Sequence, residues 1–177
     1  MMEKYYTLLE LLSMIAEPNQ GPSRRLYFEN IDMFNIAHGS SHNHQAWEGG
    51  YIGHMTDGMN IIVRLYENLN TCRKLDFSLS DALLVFWLHD IEKPWKYGGK
   101  PEEVDKYEDY QAFQEAKIVE YGFELTDAHL NAIKYAHGEG DDFMKTERVS
   151  KPLAAFLHCC DTISARIWFD HPKDKKW

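Results

Sequence analysis

At 177 residues, 44% of them hydrophobic and 14% aromatic, the chain suits a single folded domain over 1–177 and excludes a disordered one, because apolar burial on this scale offsets the entropy of ordering. Its formal net charge of −9, from 28 acidic and 19 basic side chains, sets a potential that repels nucleic-acid backbones and leaves a small, metal-chelated phosphate ester acceptable. Cys72, Cys159 and Cys160 form no CxxC pair, which fits free thiols in a reducing, cytoplasmic compartment and no disulfide framework.

The first residues lack the apolar core and small-residue cleavage site of a secretory signal. Their spacing predicts a helix with Tyr5, Leu8, Leu9, Leu12 and Ile15 on one stripe, ended by Pro18, Gly21 and Pro22. A second short helix is predicted over 26–38. After Gly49 and Gly50, the stripe Ile52, Met55, Met59, Ile62, Val63, Tyr66 and Leu69 predicts a long helix. Gly53 and Gly58 interrupt it, at a cost of about 1 kcal/mol each against alanine, so close packing or close ligand approach is expected there.

Ser78 or Ser80 is placed to cap the next helix, whose run at 82–88 is purely apolar. A helix apolar on every side belongs in the core; the run is far shorter than the roughly 20 residues that span a bilayer, so no membrane partner is expected. Pro94 is expected to stop it. Residues 101–122 read as one helix from Pro101 to Gly122, with acids in its first turn. Thr126 or Asp127 caps another running to about His137, and Ser150 caps the last, with Pro152 in its first turn. No alternating strand pattern exceeds a few residues, so the expected class is all-α, with six or more helices.

Four positions carry the chemistry: His54 in the long helix, His89 and Asp90 ending the apolar one, and Asp161 in the last. Adjacent side chains on a helix diverge by about 100°, so His89 and Asp90 can grip one ion only with help from other helices. An ionised carboxylate at the end of a wholly apolar helix is costly unless paired or bound to metal. Imidazole and carboxylate together suit a divalent transition ion better than calcium.

Three segments, "GGYIGHMTDGMNIIVRLYE", "LLVFWLHDIEKP" and "LAAFLHCCDTISARI", stand in the order of the H…HD…D pattern and together resemble the HD-domain metal-dependent phosphohydrolases over about residues 42–168. The resemblance implies an HD-type helical bundle that binds a divalent metal ion (Mn, Fe, Co, Ni, Zn or Mg), one or two per chain, through His54, His89, Asp90 and Asp161. It implies hydrolysis of a nucleotide or related small phosphate ester by a metal-activated water. Lys93 matches the lysine of "HDIGK" and is a candidate for neutralising phosphate charge. His44 falls at the first histidine of the "HHAxxGGLLEH" entry of some members and Gln45 at the second, which makes His44, with His42, a candidate catalytic or substrate group. Dinuclear members carry two further histidines, for which His137 and His158 are the candidates; His158 lies three residues before Asp161, on the same helix face. Glu139 takes the acidic position beside His137, and His129 is the weaker ligand.

Glu92 stands where many members have glycine, and Lys93 stands where some nucleotidases place a catalytic glutamate. Glu92 is therefore a candidate general acid or base, with a solvated carboxylate as the alternative. Trp95 and Tyr97 are candidates for stacking on a base beside Lys96, with Trp95 sealing the bundle as the alternative, and Arg64 and Arg166 are candidates for holding phosphate, with solvent-facing arginine as the alternative. Small members of the family assemble as homo-oligomers. Two other readings keep the same ligands: a di-iron oxygenase on the HD bundle, and a non-catalytic domain that binds metal or nucleotide.

Overall fold

Thr7 opens the first helix with a capping box, its hydroxyl accepting the Glu10 amide while Glu10 accepts the Thr7 amide in return. In the computed structural model, which describes residues 4–171, this helix, α1 (Leu8–Leu12), is shorter than its apolar stripe. Tighter i→i+3 bonds take over at Met14 and Ile15. The helix expected over 26–38 is two: α2 (Gln20–Glu29) and α3 (Ile31–Ile36). Asn30 separates them, its side-chain amide donating to the Leu26 carbonyl and the Tyr121 hydroxyl. Gly21 and Pro22, expected as helix breakers, lie in the first turn of α2, where a proline's missing N–H costs nothing.

The centre is α4 (Gly50–Cys72) packed on α5 (Leu79–Leu88). Every residue of α4 from Tyr51 to Val63 except Ile52 is buried, as is all of α5 from Ala82 onward. Gly58 explains how closely they approach: a Cβ there would lie 1.9 Å from the Phe86 ring. Ser78, one of the two expected caps, makes a capping box with Asp81, and the helix stops at Leu88, ahead of Pro94. That proline instead begins α6 (Lys93–Tyr97).

Residues 101–122 divide into α7 (Pro101–Val104) and α8 (Tyr110–Tyr121), because the Asp109 carboxylate accepts the Ala112 amide and restarts the helix. Thr126 caps α9 (Asp127–Lys134), which stops short of His137. Lys151, not Ser150, precedes α10 (Pro152–Thr162), and a π-helical turn (Ile163–Ile167) continues it. α1, α3, α10 and the π turn pack on α4, while α9 packs on both α5 and α10. The described residues contain helices and no strand, and no helix among them is long and apolar enough to cross a membrane.

Candidate metal centre

Three helices meet where their ligands meet. α4 contributes His54, the C-terminal end of α5 contributes His89 and Asp90, and α10 contributes Asp161. One potential ligand atom from each lies within 4.8 Å of the others, and all four residues are buried. His54 Nε2 is 3.1 Å from Asp161 Oδ1 and 3.8 Å from Asp90 Oδ2; His89 Nε2 is 3.2 Å from Asp90 Oδ2 and 3.5 Å from Asp161 Oδ1. Ligands on an ion with bonds of about 2.0–2.2 Å stand at comparable separations, so this group could hold a metal ion.

The outer hydrogen bonds aim the rings. His89 Nδ1–H donates to the Phe86 carbonyl at 2.7 Å, and His54 Nδ1 is bonded to the Ser164 hydroxyl at 3.0 Å. Such partners fix the tautomer and leave Nε2 as the inward atom. His54 Nε2 and His89 Nε2 are consequently buried without a hydrogen-bond partner, a state that costs free energy unless a cation sits among them, while Asp90 Oδ2 is paired with the Lys93 ammonium. Those two ring nitrogens are the strongest structural sign that the donor set fits a metal.

Charge agrees with geometry. Burial pushes His54 down to about 4, so its ring is neutral and ready to coordinate. Burial opposes the charge on His89 as well, but the Asp90 and Asp161 carboxylates outweigh it and raise His89 to about 10. Without an ion, a proton on His89 balances two carboxylates held well below the usual range. Lys93 Nζ sits beside Asp90 Oδ2.

His44 is brought to the centre by a loop the sequence does not resolve. Gln45 is fully buried with a left-handed φ of 38°. Its side-chain amide donates to the Trp168 and His171 carbonyls, and its backbone N–H to Phe169. Its Oε1 accepts His44 Nδ1–H at 2.8 Å, and the His44 ring centroid stands 4.8 Å from that of His54. Gly50 is required beneath it, since a Cβ would fall 1.8 Å from the Gln45 carbonyl oxygen, and Gly49 takes a φ of 78°.

Two cavities flank the ligands. A cleft of about 210 Å³ is lined by His44, His137, His158, Asp161 and Arg166 among others. A larger one, about 570 Å³, opens from His89, Glu92 and His137 between α8 and α9. His137 Nε2 lies 3.6 Å from Asp90 Oδ1, and His158 Nδ1–H donates to the Ala136 carbonyl. Neither belongs to the four-residue ligand group. Glu92 is buried, accepts from the Gln114 amide at 3.2 Å, and is pushed up to about 7 by burial and by Asp90.

Other candidates lie elsewhere. Trp95 is 2% exposed, packed edge-on against Phe34 and Phe113 with the Lys117 ammonium 4.6 Å from its ring centre, so it presents no face for stacking. Arg64, ten residues after His54 and thus about 15 Å along α4, donates to the Lys4 carbonyl far from the ligands. Lys96 bonds the Tyr110 hydroxyl at the rim of the larger cavity, while Tyr97 stacks on His38. His129 is bonded to Asp81, Glu139 accepts the Ser150 amide, and His42 is exposed. Sequence reasoning missed Ser164 and Gln114, and placed Gln45 at the second motif histidine without giving it a role. Of the two missed, only Ser164 carried a signal, its i+3 spacing from Asp161.

The chain matches no family model, no curated protein and no solved structure.

Proposed function

We propose that the protein is a metal-dependent phosphohydrolase of the HD-domain kind, acting on a nucleotide or related small phosphate ester. The observation that carries this reading is the buried convergence of His54, His89, Asp90 and Asp161 beside an open cleft, with His54 Nε2 and His89 Nε2 facing inward without a hydrogen-bond partner. A divalent ion held there would supply Lewis-acid polarisation of a phosphoryl oxygen and acidification of a water.

The chain's own residues supply the rest. Lys93, beside Asp90, adds positive charge where negative charge grows on the phosphoryl group. Arg166 and His158 line the cleft with His44, where they face the non-bridging oxygens of a bound phosphate. The Nδ1–H donated to Gln45 leaves His44 Nε2 free to take a proton from an attacking water. His137 and His158 are the residues on which a second ion would draw.

Elemental analysis of the purified protein, paired with phosphate release from a nucleotide panel in Mn, Co or Mg, tests the reading. The expected result is one or two metal ions per chain and release of phosphate or pyrophosphate. Iron near two per chain with dioxygen consumption and no phosphate release would overturn it in favour of an oxygenase.

A further inference from the structure

The larger cavity is not accounted for by the ligand set. At about 570 Å³ it exceeds the 210 Å³ cleft on the other side of His137, and it meets the metal centre at His89 and Glu92. The smaller space presents the Arg166 guanidinium and the rings of His44 and His158 to phosphoryl oxygens, beside the Asp161 carboxylate. His137 lines both cavities, so a phosphate in the smaller one borders the larger.

We propose that this cavity holds the organic group of a phosphomonoester, and that this group is an uncharged ring bearing hydrogen-bonding groups at its edge. The inference rests on the hydrolase reading for the position of the phosphate and on the cavity itself for the chemistry of the rest. Tyr110, Tyr135, Ile118, Leu130 and Ile133 supply apolar and aromatic walls, which suit a ring's faces.

The polar groups can both give and accept hydrogen bonds. The Gln114 amide nitrogen gives its hydrogens to the His89 carbonyl at 2.6 Å and to Glu92, leaving Oε1 as an acceptor. The Gln111 amide donates to Glu115 at 3.3 Å. Asn131 uses one amide hydrogen on the Val149 carbonyl and accepts the Lys151 amide. The Tyr110 hydroxyl hydrogen and the second amide hydrogens of Gln111 and Asn131 remain to donate and Gln114 Oε1 to accept, so the cavity suits a ligand with both kinds of group.

Charge excludes more phosphate. Lys134 is the lining cation, and it is bound to Asp142 at 2.7 Å; Lys96 is held on the hydroxyl and ring of Tyr110. Glu115 adds a carboxylate to the wall. A di- or triphosphate extending into this space would meet negative charge, with no unpaired lysine or arginine among the described residues that line it, so monoesters are favoured.

Two sources share this chemistry, a nucleoside and a sugar. Calorimetric titration of the protein as purified with adenosine, cytidine, ribose and glucose separates them, and none of the four carries phosphate to be turned over. One of them is expected to bind one per chain. Ile118→Trp, and independently Leu130→Trp at a position already 47% exposed, should weaken that binding at least tenfold while circular dichroism stays native. Glu115→Lys should raise kcat/KM for a nucleoside triphosphate relative to the monophosphate about tenfold. Absence of binding by all four compounds, or binding indifferent to both tryptophans, overturns the proposal. Binding without phosphate release from any ester would keep the cavity and refute the hydrolase; release from methyl phosphate and nucleotides alike, without such binding, would do the reverse.

Discussion

Two buried aspartates show the difference between a carboxylate that is finished and one that awaits a ligand. Asp57, in α4 one turn past His54, is fully buried and accepts from the Tyr5 hydroxyl and from His171 Nδ1 at 2.9 Å. Burial and the Asp57 charge both raise the Tyr5 phenol, so it stays a donor. Asp90 is 1% exposed and also has histidines beside it. Asp57 is satisfied by hydrogen bonds from Tyr5 and His171, whereas Asp90 relies on the Lys93 ammonium and faces ring nitrogens that make no hydrogen bond. The second arrangement is the one that could take a metal ion.

Removing each acid should break the molecule in a different way. Asp90→Ala is expected to abolish metal retention and cut kcat/KM for phosphate release by at least about 1,000-fold, in keeping with several kcal/mol of lost transition-state stabilisation; a metal-loaded, active variant would refute the site. Asp57→Ala should instead lower folding stability by about 3 kcal/mol, because it removes the charged partner of a buried hydrogen-bonded group. Urea melts would show the lower midpoint, and elemental analysis an unchanged metal content.

Metal itself sharpens the contrast. At a free concentration 100 times its Kd, an ion that binds only the folded chain should raise stability by about 2.7 kcal/mol. The wild type and Asp57→Ala should both show the increment, and Asp90→Ala should not. The smallest effect is expected for Ser164→Ala, which leaves all four ligands but frees the His54 ring; chelator competition should register a metal affinity about tenfold weaker.

The central pair of helices was legible in the sequence because their burial leaves a dense apolar pattern, and Ser78 with Asp81 marks where α5 begins. The four ligands were legible because two of them interrupt that pattern. The segment 101–122 was not: its acidic stretch between Val104 and Asp109 has no buried face to hold a helix together, so the local cap at Asp109 prevails. Trp95 was misjudged because a tryptophan after a lysine-proline turn reads the same whether its ring faces a ligand or Phe34 and Phe113. His44 depends on a left-handed Gln45 anchored to residues 168–171, a contact between distant parts of the chain for which no periodicity exists.

The bond between His54 and Ser164 joins positions 110 apart. At a translation rate of about 5 to 20 residues per second, His54 is made roughly 5 to 20 s before Ser164 can orient it. Asp161 arrives in the same late interval, so a nascent chain holding α4 and α5 alone carries both histidines and one acid but not the full grip. An ion that binds this group would thereby be captured only once α10 has docked.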